Sequence, residues 1–293
     1  MRITYFLISL FIIIYSTQKK GYEEYDDSLY AGLIQFQDQE YQSALNHLKE
    51  AIDILPKESE KSYFYAAAAA FHLKQDKTAE NLIKAALKNT YVNQDYLNSF
   101  EEFNPFRNKE IFKRLDENFS KYTQTYYSNL EHPEIFKELD SLIDADQKVR
   151  KDGSSKEEMA KIDSTNIVRL IEITKEYGWQ EKGQLLLWHQ RGTRNENNWV
   201  WDYFRPFINK EIEKGEIRKS FWIQYEEFEN VVNEKYQLYG MYPHNYDMFP
   251  LKDPENVDKR RDSVGLQPLW VMNKVYDWPL PDNYEKITAS NNG

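Results

Sequence analysis

Residues 32–56 read GLIQFQDQEYQSALNHLKEAIDILP. Small residues stand at Gly32, Ala44 and Ala51, and Pro56 closes the stretch. Thirty-five residues further on, Ala67, Ala79 and Ala86 take the same three places. Small side chains at fixed offsets inside a helical periodicity mark points where two backbones meet closely enough to admit only Gly or Ala. The spacing predicts two tandem antiparallel helix pairs, Ser28–Gln37 with Tyr41–Ile54 and Tyr63–Leu73 with Lys77–Leu87. Pro56 ends its helix because it has no backbone N–H to donate.

This pattern resembles the tetratricopeptide repeat. The resemblance implies a stacked array with a groove lined by the first helix of each pair. It also implies a protein or peptide ligand, with no chemistry of its own. Two such units leave an apolar face bare. Residues 96–119, with an Asn104-Pro105 turn followed by Phe106, Ile111, Phe112 and Leu115, resemble the capping helix that closes such arrays. Residues 22–125 are therefore expected to form a TPR-like unit.

Composition bounds the rest. The 293 residues carry 48 Asp and Glu against 38 Lys and Arg, a net charge of -10. That balance argues against nucleic acid or an anionic lipid surface as a partner. The absence of cysteine excludes disulfides, thiolate catalysis and cysteine-ligated zinc. Met1-Arg2, the apolar run Ile3–Tyr15 and the small Ser16 and Thr17 read residues 1–17 as a signal peptide or an uncleaved anchor. Both place the chain outside the cytoplasm, periplasmic or attached to the envelope, with membrane contact only through an uncleaved leader. Glu23, Glu24, Asp26 and Asp27 read as a solvated leader to the repeats.

All seven tryptophans lie beyond residue 150, whereas alanines concentrate between Ala44 and Ala86. The shift separates a second unit, residues 133–275, followed by a tail over 276–293. Ile135, Leu139, Leu142 and Ile143 share one helix face. Asp163-Ser164 reads as the N-cap of the next helix, which stops at Gly178. Leu185–His189 belongs to a third helix. Trp201 to Ile212 mark a fourth, and Trp222 to Tyr239 a fifth, ended by Gly240. Six of the ten prolines follow, in what reads as an irregular strap over the helices. Strand-like alternation is scarce, so the fold class is all-α.

Asp146-Gln147 with Arg150, Asn166, Gly178-Trp179, His189, Gln237, Tyr239-Gly240 and DPENVDKRR (253–261) running into Gly265-Leu266 form a series. It resembles an uncharacterised bacterial family, a domain of unknown function. The resemblance covers about residues 135–270 and supplies no reaction. Where that family tends to carry Thr-Gln after Tyr-Gly, this chain has Met241-Tyr242. Where it tends to carry Asp-Arg on the preceding helix, this chain has Glu226-Glu227.

The polar residues of the series are the candidate site. His189 follows an apolar run and can serve as acid/base or as a core side chain satisfied by a carbonyl. Asp146 and Arg150, one helical turn apart, can orient it, hold an anion, or simply pair with each other. Gln147, Asn166, Tyr239, Arg260 and Arg261 are the candidate binding residues. The two arginines can clamp an anion or staple the strap to acidic helix ends. His244 and Asp247 with His189 are the one conceivable metal set, without supporting ligand spacing, so neither metal nor cofactor is expected. The leading expectation is a binding or scaffolding protein of the bacterial envelope. The rival is an enzyme of unassigned class, with His189, Asp146, Arg150 and Arg260 or Arg261 converging on one pocket.

Overall fold

The computed structural model describes residues 21–190 and 199–284. The expected leader at residues 1–17 and most of the expected tail lie outside them. The described chain is all-α, and its one β feature is an isolated bridge between Gln237 and Leu251.

Helices α1 (Tyr22–Gln37), α2 (Tyr41–Ile54), α3 (Glu60–His72) and α4 (Asp76–Asn89) form two hairpins in tandem. Gly32 is needed where α1 meets α2: a Cβ there would lie 2.6 Å from Leu48 Cγ. Ala44, Ala51, Ala67, Ala79 and Ala86 are all fully buried. The two hairpin turns are copies. Gln39 and Lys74, thirty-five residues apart, both take positive φ (62° and 60°). The matching backbone bonds are Glu40 N–H to the Gln35 carbonyl and Gln75 N–H to the Ala70 carbonyl, 2.8 Å each.

The first helix starts earlier than its sequence pattern, at Tyr22 rather than Ser28. Tyr25 and Asp26 are buried on it, which corrects the reading of Asp26 as part of a solvated leader. A charge tolerates that position because Arg218 pairs with Asp26 and, at 2.8 Å, with Glu58. Helices α5 (Gln94–Ser99), α6 (Glu110–Glu117) and α7 (Phe119–Ser128) follow. Ile111, Phe112 and Leu115 of α6 join the core of α1–α4.

Helices α8 (Pro133–Lys151), α9 (Lys156–Tyr177), α10 (Gln184–His189), α11 (Trp199–Glu213) and α12 (Ile223–Asn233) enclose a second core around Leu139, Leu170, Leu187, Phe204 and Ile208. Two boundaries differ from the sequence reading. Ser155, not Asp163, caps α9: its Oγ accepts from Glu158 N–H while the Glu158 carboxylate accepts from Ser155 N–H. The fifth helix of the second unit ends at Asn233, well before Gly240.

The strap is only partly irregular. It contains α13 (Val257–Ser263) and α14 (Leu269–Tyr276), and α14 returns to the repeats. Val271 and Val275 are buried in the same core as α1–α4. Burial of such a side chain contributes about 1.5–3 kcal/mol. Lys274 Nζ lies 2.5 Å from Asp38, and Lys61 Nζ lies 2.8 Å from the Tyr276 hydroxyl. The strap helix thus rests on α1 and touches α3, the first helix of each pair.

Candidate functional site

Ile135, Leu139, Leu142 and Asp146 follow one another on a single face of α8. The acid is carried inward by its apolar neighbours and is 1% exposed. A buried carboxylate requires partners, and three elements supply them. Arg150, one turn along α8, places Nη1 2.8 Å from Asp146 Oδ1. His189, at the end of α10, places Nδ1 2.8 Å from Oδ2. Gln147 Nε2 donates to Oδ2 at 2.9 Å. From α9, Asp163 accepts the other end of Arg150 at 2.7 Å.

Supporting bonds fix the frame. Asn166 Nδ2 donates to the Leu142 carbonyl at 3.3 Å, tying α9 to α8. Gln190 Nε2 donates to the Asp163 carbonyl at 3.1 Å. Burial pushes the Asp146 carboxyl up, but the hydrogen bonds from His189 and Gln147 and the Arg150 charge outweigh it. The net shift is below the ordinary carboxylate range, so Asp146 is ionised at neutral pH. An ionised acceptor requires Nδ1 of His189 to carry the proton it donates. In the neutral imidazole that leaves Nε2 as a lone-pair acceptor. Nε2 has no hydrogen-bond partner among the described residues.

This is the geometry of an oriented imidazole: a buried carboxylate fixes the tautomer, and the second nitrogen, on a side chain 9% exposed, keeps an open lone pair. Asp146, Asp163 and His189 offer ligand atoms within 4.8 Å of one another, a spacing that a cation could share. The place between the two carboxylates, however, holds the Arg150 guanidinium. That guanidinium takes the place a cation would need, so the donors do not fit a metal.

Of the residues expected to converge, His189, Asp146 and Arg150 come together, with Gln147 and Asn166 beside them. Arg260 and Arg261 do not join them; their hydrogen bonds all stay within the strap. Arg260 donates to the carbonyls of Leu238, Lys252 and Asp253. Arg261 donates to those of Gln267, at 2.6 Å, and Tyr239. The arginines do staple the strap, but to carbonyls rather than to acidic helix ends. Tyr239 supplies backbone, not its ring, to that staple. Its N–H and those of Leu238 and Met241 are held by Glu227, which is 0% exposed. His244 and Asp247 line a separate cleft with Pro250, Pro254 and Pro279–Asn283.

Sequence reading missed Asp163 as a site residue by reading it as a helix cap. The signal that would have freed it is Ser155-x-x-Glu158, a capping box eight residues earlier. No local signal marks Glu227. No family model, curated protein or solved structure matches the chain.

Proposed function

We propose that this chain is a binding or scaffolding protein of the bacterial cell envelope. Its TPR-like array takes up a helical segment of a partner protein. The observation that supports this is that the array already accommodates a helix. On α14, Val271 and Val275 sit one turn apart against the α1–α4 core, with Lys274 on Asp38 and Tyr276 on Lys61. A surface formed by the first helices of two pairs that seats one amphipathic helix is chemically suited to another. A partner segment with two apolar β-branched residues at i and i+4 and a neighbouring lysine would exchange with α14. The envelope assignment rests on the leader alone. Among the described residues no helix is long and apolar enough to cross a membrane.

The test uses a fluorescent peptide covering residues 267–279 and a full-length Val271→Asp/Val275→Asp chain, in which α14 is released. The peptide is expected to bind the released chain and to be blocked by Tyr30→Glu on α1. Crosslinked capture from the envelope should then yield a protein contacting α1 or α3. A folded, released chain that binds neither peptide nor protein refutes the proposal.

A second reading is favoured by the Asp146–His189 contact: an enzyme with His189 as acid/base. It predicts an activity, found with probe substrates, that falls by about two orders of magnitude or more in His189→Ala with the helical spectrum intact. An activity indifferent to that substitution removes His189 from the chemistry.

A further inference from the structure

A cleft of about 400 Å³ opens where α1 and the start of α3 meet residues 261–267 and α14. That volume lies in the range of small-ligand pockets. Leu29, Tyr30, Met241, Met272, Tyr276 and Trp278 give it apolar and aromatic walls. Two buried polar side chains line it with donors left over. The Tyr25 hydroxyl, on a side chain 0% exposed, has no hydrogen-bond partner among the described residues. Neighbouring Ser62 directs its own hydroxyl to the Ser59 carbonyl. Arg261 is 1% exposed; its Nε and Nη1 are taken by carbonyls, and Nη2 has no hydrogen bond to a described residue.

The charged side chains of the cleft are unevenly engaged. Asp26 and Glu58 are both engaged by Arg218. Lys61 also lines the cleft, donates to the Tyr276 hydroxyl and has no carboxylate at ion-pair distance among the described residues. Arg261 makes no hydrogen bond to a carboxylate, although Asp258 and Glu227 lie near enough to offset its charge. Asp258 accepts from Leu269 N–H and the Tyr284 hydroxyl, and Glu227 accepts from strap N–H groups. Three cations and two carboxylates line the space. Lys61 Nζ, Arg261 Nη2 and the Tyr25 hydroxyl are donors with capacity left over, and an anionic acceptor would satisfy all three.

We propose that this cleft binds a small organic monoanion, a carboxylate on an aromatic or apolar body. The carboxylate sits between Lys61 Nζ and Arg261 Nη2, with the Tyr25 hydroxyl as a further donor. Asp26 and Glu58 on the wall disfavour a phosphate dianion, so a monoanion fits best. The apolar walls take the body. This site goes beyond the partner-helix reading and does not depend on it.

The experiment titrates the full chain with phenylacetate, its neutral isostere phenylacetamide, and phenyl phosphate, following heat and ligand-observed NMR. Phenylacetate is expected to bind one to one, about tenfold or more tighter than the amide. Lys61→Met, which keeps the apolar stem, should weaken phenylacetate by about tenfold with the helical spectrum unchanged. Tyr25→Phe, a milder change, should weaken it a few-fold. No response to any probe overturns the site. Equal binding of acid and amide reduces it to an apolar hole and overturns the anion. Tighter phenyl phosphate overturns the monocarboxylate, and an unaffected Lys61→Met overturns the location.

Discussion

Asp146→Asn keeps the shape of a side chain that is 1% exposed and removes its charge. The carboxylate holds Arg150 Nη1 at 2.8 Å, His189 Nδ1 at 2.8 Å and Gln147 Nε2 at 2.9 Å. An amide keeps one acceptor oxygen and turns an NH2 toward at least one of these donors. Each charge-assisted hydrogen bond contributes about 1.5–3 kcal/mol, and breaking a buried pair costs about 3–5 kcal/mol. Arg150 retains Asp163, 2.7 Å away, which places the loss at the lower end, about 3 kcal/mol. For a chain of this size that is a fall in Tm of roughly 6–12 °C at pH 7. The pH dependence has a definite sign. Asp146 titrates below the ordinary carboxylate range in the folded chain. Its contribution is therefore complete above the unfolded value of about 3.9 and is lost as acid protonates the folded carboxylate below that. The asparagine does not titrate. Thermal unfolding of both chains between pH 7 and pH 3 should show the gap narrowing once pH passes below about 4. A fall under about 2 °C at pH 7, or a gap that is constant down to pH 3, would falsify the electrostatic account of this cluster.

Gly32→Val drives a branched side chain into Leu48, whose Cγ lies 2.6 Å from the Cβ position. A loss of about 1–3 kcal/mol in urea unfolding is expected, and an unchanged midpoint would mean that α1 and α2 do not meet there. Val271→Ala with Val275→Ala removes four buried methyl groups from the contact between α14 and α1. About 3 kcal/mol should be lost and amide exchange in α14 should accelerate; unaltered protection of α14 contradicts its docking. Glu227→Gln leaves strap N–H groups facing an amide and should cost about 2 kcal/mol, with early proteolysis between residues 234 and 256. Cleavage elsewhere first would show that Glu227 does not hold that segment.

The repeats were legible because their constraint is local and periodic. Gly32, Ala44 and Ala51 meet a neighbour a dozen or so residues away, and the same steric demand recurs at Ala67, Ala79 and Ala86. His189 was legible as a candidate because it follows an apolar run, and Asp146 because Arg150 stands one helical turn along. That Asp146 orients His189 was one alternative among three, and the choice was not legible because α10 and α8 are adjacent only in space. Asp163 was obscured by its resemblance to a cap. The dispersal of Arg260 and Arg261 follows from competition: a strap poor in regular structure leaves many carbonyls unpaired, and guanidinium groups satisfy them. Asp26 misled for the converse reason. Its partner Arg218 is 192 residues away, so nothing beside it in sequence suggests that a carboxylate there is buried.

The seating of α14 on α1 also has a consequence in time. Lys274 and Asp38 are separated by 236 residues of chain. At a synthesis rate of about 5–20 residues per second, α14 is made roughly 12–50 s after the surface it covers. Helix hairpins close within microseconds, so α1 to α4 are in place long before their last helix exists. Throughout that interval the apolar face destined for Val271 and Val275 is open to any helix that arrives first. The order of synthesis leaves that face without its own cover until the chain is nearly complete.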